Sequence, residues 1–407
     1  MNRYRFRCLR RWLLVSMILT APVALGAASD KLSESTYQHL AEAHKLMEQG
    51  AYKDAMGRLD ALQPALKGDA YEHAMVLQTY GYLYSAQGER TKAIAALNKS
   101  LELKALPPVV SQDVRYLLAQ LQMTDADYRG AALNLEQWLS REKKPSPEAH
   151  ALVGTAHAYL KQQASAEKHL EKALSSAGRH PEDWYRQLLA LYFEAKRFDA
   201  AARLLQRMIA AFPQRKVYWQ QLSGVYSKLN DDHAALAVLE LARLQGVLSQ
   251  ERDLVNLAGH FQQQNAPLQA AELLETALRD GAVPSTREHW ERLGNAWLQA
   301  KEVDRARQAF SQTVQLAADP ELHLLRAQLA AQKEDWEAVL ESASSALESG
   351  RIDRPGAAYL LAGVAHFYNG TPNAALHAFE QARTYEGTHQ DAQHWIDFLA
   401  PITAEGR

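Results

Sequence analysis

Trp290-Glu-Arg-Leu293-Gly294-Asn-Ala-Trp297 is the stretch that decides how this chain folds. Residues at i, i+3, i+4 and i+7 fall on one face of an α-helix. Trp290, Leu293, Gly294 and Trp297 therefore share a face on which three large side chains surround one small one. Ala306 and Phe310 follow at a distance that suits a second helix folding back on the first, and Pro320 comes after them. The expected geometry sets Gly294 against Ala306 where the two backbones draw closest, with Trp290, Leu293, Trp297 and Phe310 filling the space around that contact.

The arrangement recurs along the chain. Trp219-Gln-Gln-Leu222-Ser223-Gly-Val-Tyr226 leads to Ala235, Leu239 and Ala242, and Leu257-Ala258 with Phe261 leads to Ala270, Leu274 and Ala277. Fainter copies hold Gly81, Ala93 and Leu97; Gly154, Ala166 and Leu170; Leu189, Ala201 and Leu205; and Gly363, Ala375 and Phe379. The most degenerate are marked by Ala43 and Ala55, by Ala119 and Ala131, and by Ala327 and Val339. The residue at the close approach then falls at 43, 81, 119, 154, 189, 223, 258, 294, 327 and 363, a mean spacing of about 35.6 residues. Glycine (20) and proline (14) are sparse, which speaks against disorder and against a turn-rich β fold.

This pattern resembles the tetratricopeptide repeat, whose W-x2-L-G-x2-Y…A…F…A…P signature recurs about every 34 residues. The resemblance implies an all-α solenoid: about ten helix-turn-helix repeats over residues 29–388, stacked into a right-handed superhelix because no single helical pair can bury its apolar face. Residues 389–407 read as a capping helix and tail, in which Trp395, Ile396, Phe398 and Leu399 seal the last repeat and Pro401 stops the helix. Pro107-Pro108, Pro145-Ser-Pro147 and Arg354-Pro355-Gly356 are short breaks between repeats, none of them long enough for a domain linker.

Residues 1–28 differ from the rest. Five arginines between Arg3 and Arg11 precede an apolar run from Trp12 to Leu25, and Gly26-Ala27-Ala28 follows. That is the layout of a secretory signal, with cleavage expected after Ala28 and export to the periplasm. At about 14 residues the run is shorter than the ~20 a membrane span needs, so an uncleaved inner-membrane anchor is the alternative. The single cysteine, Cys8, precedes the run, and a chain cleaved at Ala28 has no thiol for disulfide or thiolate chemistry. Such a chain keeps 40 basic and 47 acidic residues, a net charge of −7. That balance disfavours nucleic acid and anionic membrane surfaces, which both select for dense positive charge, and it favours a basic partner.

Catalytic signatures are absent from the sequence. It has no G-x-S-x-G, no phosphate-binding G-x-x-x-x-G-K-[ST] and no H-E-x-x-H. His150 and His157 share a helix face without a carboxylate at ligand spacing. The chain therefore reads as a non-enzyme without metal or cofactor.

In the repeat family the concave groove is lined by the first helix of each repeat. Carried onto this register, the family's geometry places Tyr37, His44, Gln78, Tyr82, Tyr116 and Gln120 on the groove of the N-terminal repeats, and Leu360, Val364 and Phe367 in the last one. Amphipathic tyrosines suit an interface. The Lys/Arg/Asn clamp with which chaperone-binding members grip a C-terminal carboxylate is missing here. Three stretches, Tyr71–Tyr84, Tyr218–Leu241 and His394–Leu399, are similar to repeat proteins of Gram-negative bacteria encoded beside TonB–ExbB–ExbD-type energy transducers. This similarity implies a periplasmic accessory to nutrient transport, holding an extended or basic segment of an envelope protein. The alternative is an adaptor in envelope biogenesis, serving pili, polysaccharide export or outer-membrane assembly.

Overall fold

The computed structural model describes residues 32–66, 68–316, 319–348 and 352–405. The leader expected over residues 1–28 lies outside them. The described chain forms ten helical hairpins and a closing helix, in two compact units that meet in sequence at His180 and Pro181.

The first unit holds four hairpins: α1 (Glu34–Glu48) with α2 (Tyr52–Asp60), α3 (Ala70–Gln87) with α4 (Arg90–Glu102), α5 (Pro108–Thr124) with α6 (Tyr128–Leu139), and α7 (Pro147–Tyr159) with α8 (Gln163–Ser175). The second holds six: α9 (Glu182–Glu194) with α10 (Phe198–Ala211), α11 (Lys216–Lys228) with α12 (Asp232–Leu244), α13 (Glu251–Gln263) with α14 (Pro267–Arg279), α15 (Arg287–Gln299) with α16 (Val303–Leu316), α17 (Pro320–Ala331) with α18 (Trp336–Glu348), and α19 (Pro355–Tyr368) with α20 (Pro372–Arg383). The close-approach residues read from the sequence fall one to a hairpin, each in the first helix.

Local chemistry explains where the helices begin. Pro108, Pro147, Pro267, Pro320, Pro355 and Pro372 sit in first turns, where the missing N–H has no partner to lose. Asp127, Ser146, Asp231 and Asp319 cap helices by accepting from backbone N–H groups. Within each hairpin the turn contains one residue of positive φ: Gly50, Gly88, Ala126, Lys161, Lys196, Asn230, Asn265, Lys301, Glu334 and Gly370. Ten such turns in the described chain mark ten hairpins independently of the apolar pattern.

Phe310, expected to fill the space around the contact of Gly294 with Ala306, is the nearest neighbour of Gly294. A Cβ at Gly294 would lie 2.5 Å from Phe310 Cε1, and the nearest neighbours are all atoms of that ring. Gly363 meets Phe379 in the same way, Gly81 meets Leu97 and Gly154 meets Leu170. The glycine makes room for a large side chain sixteen residues later, a phenylalanine ring at Gly294 and Gly363 and a leucine at Gly81 and Gly154. Trp297, Phe310 and Phe379 are among the largest fully buried side chains, and the Arg305 guanidinium lies 3.7 Å over the Trp297 ring.

In the second unit the N-terminal ends of successive first helices are joined by polar contacts. Arg215 pairs with Glu182, Lys216 with Asp253 at 3.0 Å, His289 with Glu251 at 3.4 Å, Arg287 with Asp319, and Arg354 with Glu321 at 3.5 Å. Asp253 is buried, which shields its pair from solvent.

The closing helix α21 (His389–Glu405) packs on the last hairpin through Trp395, Ile396 and Leu399. It also covers Leu360, Val364 and Phe367, which therefore pack against the cap and do not present a free groove wall. A second correction concerns its end: the helix runs past Pro401 to Glu405. Proline's φ is helical, and this close to the terminus it removes one hydrogen bond without breaking a long ladder.

Candidate functional site

The residues assigned to the N-terminal groove lie on the first helices of the first unit. Tyr37 and His44 are on α1; Gln78 and Tyr82 are on α3; Tyr116 and Gln120 are on α5. Tyr37 is 57% exposed, and His44 is half-buried with its pKa lowered by that burial against the opposing charge of Glu48.

Two of the three pairs become tyrosine–glutamine couples one helical turn apart. The Gln78 amide donates to the Tyr82 hydroxyl at 2.9 Å, and the Gln120 side chain lies near enough to the Tyr116 hydroxyl to offset part of its desolvation. The order is reversed between neighbouring repeats. Tyr82 packs against a core cluster that includes Val114, Leu118 and Leu121 of α5. Tyr116 rests on Trp138, with ring centroids 4.7 Å apart, and packs against a cluster of Ala119, Leu135 and Val153. Both phenols are half-buried, and desolvation pushes both pKa values up. Each ring is thus packed against a core cluster built from its own helix and its neighbours. Among the described residues neither Tyr37 nor His44 hydrogen-bonds to these tyrosines or glutamines.

The face carries unsatisfied hydrogen-bonding capacity. Gln78 is only 8% exposed, and its Oε1 is buried without a partner. Both amide atoms of Gln112, on α5, are buried without partners as well. Leaving such a group unbonded typically costs about 1–3 kcal/mol.

Sequence reasoning missed Asp113 and Glu148. They stand six residues before the close-approach residues Ala119 and Gly154, the register that selected Tyr37 in the first repeat. Applied to every repeat, the same ruler would have found them. Asp113 lies within electrostatic reach of Tyr82, and Glu148 of Tyr116. Burial pushes the Asp113 carboxyl above its ordinary range. The first helices of this unit carry Glu34, Glu42, Glu48, Glu72, Asp113 and Glu148 against only Lys45 and Arg115. The second helices of this unit are nearly balanced, so its acidic excess lies on the first helices.

The second unit's first helices are different in character. One residue past the close approach, where the first unit has His44, Tyr82 and Gln120, repeats six and seven have Gly224 and Gly259. A side chain at either would meet nothing within 4 Å. This stretch offers open backbone instead of aromatic contacts.

Among the described residues no set of three or more His, Cys, Asp or Glu side chains could hold a metal ion. His150 Nδ1 lies 3.1 Å from His169 Nδ1, and His157 Nε2 lies 3.0 Å from Glu136. His150 and His157 were singled out in the sequence; the structure brings them to a third histidine across the hairpin. No described helix is long and apolar enough to cross a membrane.

Residues 256–322 match a tetratricopeptide-repeat family model, and residues 76–105 match a second one. The chain therefore carries tetratricopeptide repeats, and the second match spans Gln78 and Tyr82. No curated protein matches the chain. Among solved structures it is similar to a tetratricopeptide repeat protein from Parabacteroides merdae, with 14% identity over 73% of this chain and 98% of that one and a TM-score of 0.36. It is also similar to the MamA protein, with 19% identity over 42% and 90% and a TM-score of 0.35. A third is YrrB, described as a tetratricopeptide-repeat protein with an unusual peptide-binding site, with 19% identity over 48% and 98% and a TM-score of 0.35.

Proposed function

We propose that this protein is a non-enzymatic scaffold that holds an extended segment of a protein partner along the first-helix face of its first unit. The observation that carries this reading is a pair of half-buried tyrosines on successive first helices, Tyr82 held by its hydrogen bond to Gln78 and Tyr116 by the ring of Trp138. Rigid, half-buried aromatics at repeat intervals suit an extended chain, which presents its side chains at a regular rise and has little entropy to lose on docking.

In this reading the chain is exported, residues 1–28 are removed, and the mature protein serves a periplasmic envelope complex of the TonB-associated kind. The support is the basic-apolar-small layout of the leader and the three stretches named above. A mature protein beginning near Ser29 and recovered from the periplasm without detergent is expected. Full-length protein found only in membranes would overturn export with cleavage.

The binding reading is tested by calorimetric titration of the folded chain with a twelve-residue alternating Pro-Lys peptide, taken as an extended, basic probe. Truncating a hot-spot aromatic commonly costs about 2 kcal/mol or more. The Tyr82→Ala/Tyr116→Ala variant should therefore bind roughly thirtyfold more weakly or worse. Wild-type affinity in the folded variant would sink the proposal.

A further inference from the structure

Carboxylates six residues before the close approach recur in both units, and only one unit leaves them open. In the second unit these are Asp183, Glu288 and Glu321, and each has an arginine: Arg186 at 3.7 Å, Arg292 at 2.8 Å and Arg354 at 3.5 Å. In the first unit they are Asp113 and Glu148. Among the described residues neither has an ion-pair or hydrogen-bond partner. Asp113 stands on the part of α5 against which Tyr82 packs, and Tyr82 is tied to the buried Gln78 amide, whose oxygen has no donor.

We propose that Asp113, Gln78 and Tyr82 form a subsite for a lysine or arginine side chain of the bound segment. The inference rests on the binding reading above and specifies what the face recognises.

The chemistry of the three groups converges on a cation. A carboxylate and an amide oxygen only accept, and the Tyr82 oxygen has lone-pair capacity beyond the Gln78 bond. An ammonium or guanidinium brings several donors and a positive charge, so it can meet all three. Turning the Gln78 amide outward exchanges a buried, unbonded oxygen for one bonded to the ligand. An anionic or neutral side chain would leave Asp113 uncompensated. Among the described residues no internal cation forms an ion pair with Asp113, so the position is not already held. Glu148, open in the same register one repeat on, offers a second cation a place along the same segment.

The experiment titrates the full chain, at low and at high salt, with the alternating Pro-Lys twelve-mer and with its Pro-Gln counterpart. At low salt the lysine peptide should bind about tenfold more tightly, and the difference should shrink at high salt. Asp113→Asn should remove most of that preference while leaving the glutamine peptide unaffected. Gln78→Met should weaken the lysine peptide severalfold and raise the thermal midpoint of the free protein, because it deletes the unbonded amide. That opposed pair of effects separates a ligand role from simple loss of structure. Equal binding of the two peptides, or a lysine preference that survives Asp113→Asn, overturns the subsite. If the Tyr82→Ala/Tyr116→Ala variant then still loses both peptides, the binding face stands without it. Failure of both peptides to bind the wild-type chain overturns the subsite and the binding face together.

Discussion

The ring of Phe310 occupies the space in which a side chain on residue 294 would begin, 2.5 Å from where that Cβ would lie. The sixteen-residue spacing behind this contact runs through the whole chain. Ala43 precedes Leu59, Gly81 Leu97, Ala119 Leu135, Ala258 Leu274, Gly294 Phe310, Ala327 Ala343 and Gly363 Phe379. Phenylalanine occurs at the second position only where the first is glycine. Leu189 with Leu205 is the one place where two large residues stand at this spacing.

Gly294→Ala should therefore destabilise the second unit by about 1–3 kcal/mol, although alanine is the better helix former. Phe310→Leu in the same chain should recover part of the loss by recreating the Ala258–Leu274 combination. Repeats are stabilised by their neighbours, so hydrogen exchange should quicken beyond residues 290–310. Unchanged protection in the single variant would mean that the ring has somewhere else to go.

Gly259→Ala is expected to do the opposite. The position is helical and a methyl there would touch nothing within 4 Å. Replacing a mid-helix glycine should raise stability by up to about 1 kcal/mol, read as a higher urea midpoint at unchanged slope. A loss of stability would show that the face is already packed against something in solution.

Lys301 turns the eighth hairpin with a φ of +63°. A side chain in this region costs on the order of 1 kcal/mol, which glycine avoids. Glycine's greater freedom in the unfolded chain offsets part of that gain. Lys301→Gly should yield a net rise of about 0.5 kcal/mol, measurable by denaturant titration, whereas Gly370→Lys at the equivalent turn should lower stability.

His169 makes the stability of the fourth hairpin depend on pH. Burial, then the neighbouring His150 and His157 and the lysines Lys168 and Lys172, hold its pKa down at about 4. Its ordinary value is 6.5, so the unfolded chain binds the proton more readily than the folded one. The contribution is complete above about pH 6.5 and is lost as pH falls toward 4. The ring is half exposed, so solvent screening reduces the effect to about 1 kcal/mol. Urea midpoints at pH 7 and pH 5 should differ accordingly, and His169→Gln should flatten the difference. An unaltered slope in that variant would assign the pH dependence to other groups.

The sequence by itself determined the helices, their pairing into ten hairpins, the cap and the placement of Tyr37, Tyr82, Tyr116 and their neighbours on first helices. All of these follow from spacings within one repeat of about 35 residues, where helical periodicity places a residue on a known face. It also placed Gly294 at a close approach with Phe310 beside it, but did not say which atoms of the ring come nearest, because periodicity identifies a face and not the atom that fills it. The tertiary structure decided the rest. It showed which carboxylates acquire an arginine and which stay open, that the Gln78 oxygen is buried without a donor, and that His150 meets His169 across a hairpin. It also divided the described chain at His180 and capped the face that Leu360, Val364 and Phe367 were expected to leave free. These outcomes depend on side-chain directions and on contacts between neighbouring helices. Hydrogen bonds and ion pairs form or fail over a fraction of an ångström, a distance that no repeat spacing encodes.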